Sequence, residues 1–179
     1  DHQHGDMLGV VAYANGHEIL PNYQVRYKYP DYPFFKNSWT KNVALVDSIL
    51  LGQGWKPNRG GSGFGKWRHL PQPVVLEWKT DHLYDYFCGT HNAYDSLNVT
   101  YFREVIFMKD GFWIVRDHFS GDQSHLYQQV WQGKYQVIDP NHVISDLGDG
   151  TGLQIIQLNG NDLKISASKF RDKRNFVFN

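Results

Sequence analysis

The sequence predicts an all-β chain: an antiparallel β-sandwich of jelly-roll-like form with about a dozen strands. Three observations predict it. Short runs rich in β-branched and aromatic residues recur along the chain. Turn dipeptides such as Asn15-Gly16, Asp110-Gly111 and Asp149-Gly150 punctuate them. No segment shows a convincing 3.6-residue apolar period, and no internal repeat is visible.

In chain order, the strand-like runs begin with Leu8 to Tyr13 and His17 to Leu20, joined by Asn15-Gly16. Val43 to Asp47, Val74 to Lys79 and Leu83 to Cys88 follow. Val99 to Met108 and Phe112 to Phe119 flank Lys109-Asp110-Gly111, a strong hairpin signal. His125 to Trp131, Tyr135 to Ile138, Val143 to Asp146, Leu153 to Leu158 and Leu163 to Ser168 complete the set, with Asn159-Gly160-Asn161-Asp162 as a further turn. Two segments are not strand-like: 25–38, full of Tyr and Pro, and 52–69, full of Gly and basic groups. Long loops on a rigid scaffold are where binding tends to reside.

Composition narrows the function. The 179 residues are expected to form one domain, 1–179, long enough to bury a full core. With 18 basic and 18 acidic residues the chain has no net charge, which argues against nucleic acid as a partner. Eleven Tyr, eleven Phe and six Trp make it aromatic-rich. Its one cysteine, Cys88, excludes an internal disulfide and a Cys-based zinc cage, and its strand-like surroundings favour a buried, inert thiol. No apolar run approaches the roughly 18 residues of a membrane-spanning helix.

The densest group of titratable residues is Asp1-His2-Gln3-His4-Gly5-Asp6. On an extended strand a His-x-His step puts both imidazoles on one face, because side chains alternate. Such a pair suits proton transfer or metal binding near neutral pH. A cupin-type site needs a Glu soon after the second His, and Met7-Leu8-Gly9-Val10 stand there instead. His2, His4 and Asp6 alone would make a strained zinc site on one strand, so a metal needs a distant ligand.

The loop 52–69 carries Lys56, Arg59, Lys66 and Arg68 and no acid. Gly60 to Lys66 has P-loop spacing, but Trp67 replaces the required Ser or Thr, which excludes nucleotide binding. Two readings remain: a solvated loop, or an anion-binding loop with Arg59, Lys66 and Arg68 for carboxylate or sulfate and Trp55 and Trp67 as stacking surfaces. The aromatic segment offers Tyr27, Tyr29 and Tyr32, and a tyrosine near His2 suits protonation of a leaving oxygen. Nothing matches a nucleophile elbow or a glycosidase acid pair.

His2-Gln3-His4-Gly5-Asp6, Tyr13-Ala14-Asn15-Gly16, Asn22-Tyr23 and Lys41-Asn42-Val43-Ala44-Leu45-Val46-Asp47, in this order and spacing, resemble the C-terminal β-sandwich domain of the heparinase II/III-like polysaccharide lyases. The Arg103-to-Phe107 and Ile114-to-His118 hairpin extends the resemblance along nearly the whole chain. It implies β-elimination on a uronic-acid-containing polysaccharide in a periplasmic or secreted enzyme. It also implies that the chain is the C-terminal part of a longer lyase, inactive alone, whose N-terminal α/α toroid forms the other wall of the cleft.

Carried over by motif, His2 lies at the active site; one tyrosine among Tyr27, Tyr29 and Tyr32, as candidate proton donor, and the loop residues Arg59, Lys66, Arg68, Trp55 and Trp67 are expected to line this wall of the cleft beside it. The family's zinc ligands map to His4, Asn22 and Lys41. Two of these depart from the pattern, so the zinc site is expected to be lost and no cofactor is expected. The Lys41 ammonium is expected to take the metal's place, bonded to Asn22 and an acid such as Asp6. A stoichiometric zinc, or Lys41 in bulk solvent, would overturn this. The competing readings are a non-catalytic carbohydrate-binding sandwich, with no use for His2, and a purely structural β domain.

Overall fold

The computed structural model describes residues 3–23, 25, 27, 29–60, 65–158, 163–166, 170, 171, 177 and 178. The chain is all-β, built from antiparallel pairs, with one short α-helix and two 3-10 turns among the described residues. It divides into two compact units. The first holds residues 1–9 and 23–130, the second residues 10–22 and 131–179.

The second unit opens with β1 (Ala12–Ala14) and β2 (His17–Leu20). Asn15 and Gly16 both take positive φ, 51° and 81°, the backbone that a two-residue hairpin turn demands. In the first unit follow α1 (Tyr32–Phe35), β3 (Ala44–Val46), β4 (Lys56–Pro57), β5 (Gly65–Lys66), β6 (Pro73–Thr80), β7 (Tyr84–His91), β8 (Thr100–Met108), β9 (Phe112–Ser120) and β10 (Tyr127–Gln129). The second unit resumes with β11 (Gln136–Asp139), β12 (His142–Gly148), β13 (Thr151–Ile156), β14 (Phe170–Arg171) and β15 (Val177–Phe178). Its three-stranded sheet runs β11-β12-β13. His17 Nε2 lies 3.0 Å from Asp149 Oδ2, tying the β1–β2 hairpin to the β12–β13 turn.

The first unit has a sandwich-like layering. Its main sheet is a meander in the order β6-β7-β8-β9. The β8–β9 hairpin closes with Met108 opposite Phe112 around Gly111, whose φ is 109°. A second ribbon pairs β10 with β3. Between them lies the core of Val43, Ala44, Leu45, Val46, Leu51, Tyr94, Val99 and Tyr101. Tyr94 Oη donates to the Ala44 carbonyl at 3.0 Å, and Phe119 stacks on Tyr101 at 4.9 Å and on Tyr127 at 4.6 Å. Asp47 closes the ribbon, accepting from the Leu126 N–H and lying 2.7 Å from His125 Nδ1. Those two bonds hold its carboxyl below the usual range.

A buried ion pair crosses this core. Arg103 meets Asp117 two-pronged, at 2.7 and 2.9 Å, with side chains 1% and 3% exposed. Arg103 also reaches the Leu8 and Asn42 carbonyls at 2.8 and 2.9 Å. Tyr101 Oη and Gln129 Nε2 donate to the same carboxylate. Every polar atom of Asp117 is therefore engaged, as burial in low dielectric requires. Cys88 is a buried, free thiol on β7.

Three sequence expectations need correction. The run Leu8 to Tyr13 is not one strand: Gly9 N–H donates to Asp6 C=O and Leu8 takes φ 58°, so the chain turns before β1 begins at Ala12. His4 accordingly sits on irregular chain rather than on a strand. Of Leu163 to Ser168, the described residues 163–166 form no strand, and 167 and 168 lie outside the described residues, as does the turn 159–162.

Candidate functional site

In the first unit, two side chains stitch the opening motif to the head of the basic loop. Asn37 follows α1 and caps the 3-10 turn Ser38–Thr40 by accepting from the Ser38 N–H at 2.9 Å. Asn37 Nδ2 donates to the Gly52 carbonyl at 2.7 Å, and Gly52 N–H donates back to Asn37 Oδ1 at 3.0 Å. Ser38 Oγ donates to Gly5 C=O at 2.9 Å and accepts from Leu51 N–H at 2.9 Å. Gly5 N–H donates to Lys36 C=O at 2.8 Å. A Cβ at Gly5 would collide with Asn37 Oδ1, so only glycine fits this approach.

An aromatic and cationic box stands on this stitch. Trp67 is 8% exposed, and its indole N–H donates to the Gln3 carbonyl at 3.1 Å, holding the opening motif beside the loop. Trp55 meets Trp67 edge-on at 4.9 Å and donates to Tyr32 Oη at 2.9 Å. Tyr32 lies 5.6 Å from Tyr27, ring to ring. Lys36 is fully buried, its ammonium 4.3 Å from the Trp55 ring centroid and 3.5 Å from Tyr27 Oη.

Lys41 is only 2% exposed. Burial pulls its pKa down to about 8, with the Asp6 carboxylate opposing the fall. Burial lowers the Lys36 pKa as well, again against Asp6. Asp6 thus supplies negative charge to both ammoniums, and its carboxylate lies 3.9 Å from His4 Nδ1.

Of the residues singled out from the sequence, Tyr32, Trp55 and Trp67 come together. Trp67 is a buried wall of the box rather than an open stacking face, while Trp55 is half-buried. Tyr29 is half-buried and accepts the Tyr32 backbone N–H at 3.2 Å. Arg59, Lys66 and Arg68 are exposed. Lys66 stands opposite Lys56 on the β4–β5 ribbon, and Arg68 lies against Gly54. His2 and residues 61–64 lie outside the described residues.

Among the described residues no three His, Cys, Asp or Glu side chains gather. With a pKa near 8, Lys41 keeps its proton at pH 7 and offers a positive charge where a dication needs a lone pair. Asn22 is exposed, and its backbone N–H donates to Glu18 Oε1 at 3.2 Å.

Lys36, Asn37 and Ser38 are the residues that sequence reading missed. They sit in a Tyr- and Pro-rich segment with no periodicity, and only the placing of Lys36 directly after Phe34-Phe35 hints at burial. No protein-family model matches this chain, and no curated protein matches it by sequence.

Proposed function

We propose that this chain is the C-terminal domain of a polysaccharide lyase of the heparinase II/III-like type, forming one wall of a cleft that cleaves a uronic-acid-containing polysaccharide by β-elimination. The observation that carries the reading is the Trp67-to-Gln3 hydrogen bond, which fixes the residue next to His2 against the aromatic box and the foot of the basic loop. Elimination breaks a C–H bond beside the uronate carboxylate and the C–O bond to the leaving sugar, and forms a C=C bond. It needs a cation for the carboxylate, a base for the proton and an acid for the departing oxygen.

In this reading Arg59, Lys66 and Arg68 meet the polymer's carboxylates, and His2 serves at the reacting centre. Tyr29 and Tyr32 are the candidate proton donors, and Trp55 supports a sugar ring. Lys41, held beside Asp6, stands where the resemblance implies a zinc ligand, and the domain works without a metal. The N-terminal α/α domain supplies the opposite wall, and the enzyme acts in the periplasm or outside the cell.

The test pairs two measurements. The chain is passed over immobilised acidic and neutral polysaccharides, and His2→Ala is made in the full-length enzyme with release of unsaturated uronate as the readout. Retention on a uronate polymer, no product from the chain alone, and loss of turnover in the variant support the reading. Product from the chain alone refutes the two-wall cleft. Full turnover in the variant shifts the assignment to a binding module, and no retention on any polymer shifts it to a structural domain.

A further inference from the structure

The β4–β5 ribbon extends beyond its two short strands. Gln53 bridges His69, Lys56 faces Lys66 and Pro57 faces Gly65. These pairs share one register, so Gly54 stands opposite Arg68 and Trp55 opposite Trp67. Gln53 N–H donates to His69 C=O at 3.0 Å, and Arg68 N–H donates to Gln53 C=O at 3.0 Å. Side chains of such a ribbon alternate between its two faces.

The alternation separates aromatics from cations. On the inner face Trp55 is half-buried and Trp67 buried, with the Tyr32 hydroxyl and the Gln3 carbonyl accepting their indole N–H groups. On the outer face Lys56, Lys66 and Arg68 are exposed. Gly54 makes room for Arg68, because a Cβ at 54 would come within 2.8 Å of the Arg68 Cβ.

The outer face is electrostatically unbalanced. Residues directly opposite in an antiparallel pair have Cβ atoms about 4.5–5.5 Å apart, and like charges there repel. Lys56 and Lys66 are such a pair. None of the ion pairs among the described residues involves either of them or Arg68. Residues 52–69 include no acid to relieve the repulsion. An oxyanion from outside, set between the two ammoniums, replaces one repulsion with two attractions. Two residues on from Lys66, roughly 7 Å along an extended strand, Arg68 offers a planar fork to a second anion. The buried tryptophans fix the backbone beneath all three cations, so little order is lost when a ligand arrives.

We propose that Lys56 and Lys66 form a clamp for one oxyanion of an acidic polysaccharide, carboxylate or sulfate, and that Arg68 takes the next anionic group of the same chain. The clamp rests on the lyase reading for the class of polymer. It adds Lys56 to the binding residues and makes a polymer with anions in series, rather than a single sugar acid, the ligand.

The test uses the whole chain and three variants at exposed positions: Lys56→Ala, Lys66→Ala and, away from the ribbon, Lys134→Ala. Affinity is measured for alginate, whose anions are carboxylates, for dextran sulfate, for monomeric glucuronate and for duplex DNA. Lys56→Ala and Lys66→Ala are each expected to weaken binding of an acidic polysaccharide about tenfold, with Lys134→Ala unchanged. Binding to alginate or to dextran sulfate identifies the oxyanion and supports the clamp. Without ligand, Lys56→Ala should melt no lower than wild type, since it removes a repulsion. Wild-type binding that survives Lys56→Ala, or that falls equally in Lys134→Ala, overturns the clamp and leaves the lyase reading standing. Equal affinity for DNA or for glucuronate also overturns it. No binding of the wild type to either acidic polymer overturns the clamp and the polysaccharide reading together.

Discussion

Removing one partner of the Arg103–Asp117 pair should cost far more than removing both. Asp117→Ala leaves a guanidinium that is 1% exposed, still bonded to the Leu8 and Asn42 carbonyls but without its counter-charge. Breaking a buried pair in this way costs about 3–5 kcal/mol. Arg103→Met leaves a carboxylate that keeps donors from Tyr101 and Gln129, so its cost should fall at the lower end, about 3 kcal/mol. In Arg103→Met/Asp117→Leu both charges go, and apolar replacement of a buried pair is close to neutral. Summed single costs of about 6–8 kcal/mol against a double cost of about 0–3 kcal/mol predict a coupling of at least ~3 kcal/mol.

The assay is equilibrium urea unfolding of all four proteins followed by tryptophan fluorescence, with slopes compared to confirm that only stability has changed. Additive single effects, or single costs under about 1 kcal/mol, would refute the view that this pair is a desolvated, mutually dependent unit. Acid gives an independent check. Burial alone would raise the Asp117 carboxyl, but the Arg103 bonds and charge, with Gln129 and Tyr101, overcome it and hold it below the ordinary range. A depressed carboxyl stabilises the fold above its unfolded pKa of ~3.9, and that contribution is lost as pH falls through the folded value. The wild type should lose stability below about pH 4, and the double variant should lose less.

Between pH 8 and 10 stability should rise by roughly 2–3 kcal/mol, because the unfolded chain still holds the Lys41 proton that the folded chain has shed at about 8. Lys41→Met should flatten that rise in urea titrations. Above pH 10 stability should fall, since burial raises the Tyr94 and Tyr101 hydroxyls in the folded state and the unfolded chain ionises first. Gly5→Ala should destabilise by more than the ordinary ~1 kcal/mol point-mutant cost, because the new methyl displaces Asn37 from Gly52; a melting temperature unchanged from wild type would refute the stitch. Metal analysis of the purified chain should find no stoichiometric zinc, and a chelator should leave the melting temperature unmoved.

What was legible in the sequence was whatever depends on neighbours in the chain. Asn15-Gly16, Asp110-Gly111 and Asp149-Gly150 each specify a tight turn through local backbone preference, and hairpins formed at all three. From the Met108–Phe112 pair, counting back five residues on each strand lands on Arg103 and Asp117, so even the buried ion pair followed from the turn. The site was less legible because its contacts are long-range and aperiodic. Ser38 reaches Gly5 and Leu51, and Trp67 reaches Gln3 across 64 positions, with no repeat to announce either bond. Leu8 misled because an apolar residue in a left-handed turn looks, in sequence, like the start of a strand. Trp67 misled for a related reason: a tryptophan in a glycine-rich basic loop suggests an exposed platform, but its indole N–H found a carbonyl and its ring closed over Gly52, so it joined the core. The loop is therefore anchored at its base, and the exposed Arg59, Lys66 and Arg68 extend from a fixed point beside the opening motif. That anchoring is what makes mutation of Trp67 a test of site assembly as well as of packing: Trp67→Phe keeps most of the ring but drops the Gln3 bond, so a loss of polysaccharide retention with little loss of stability would trace binding to the position of the loop.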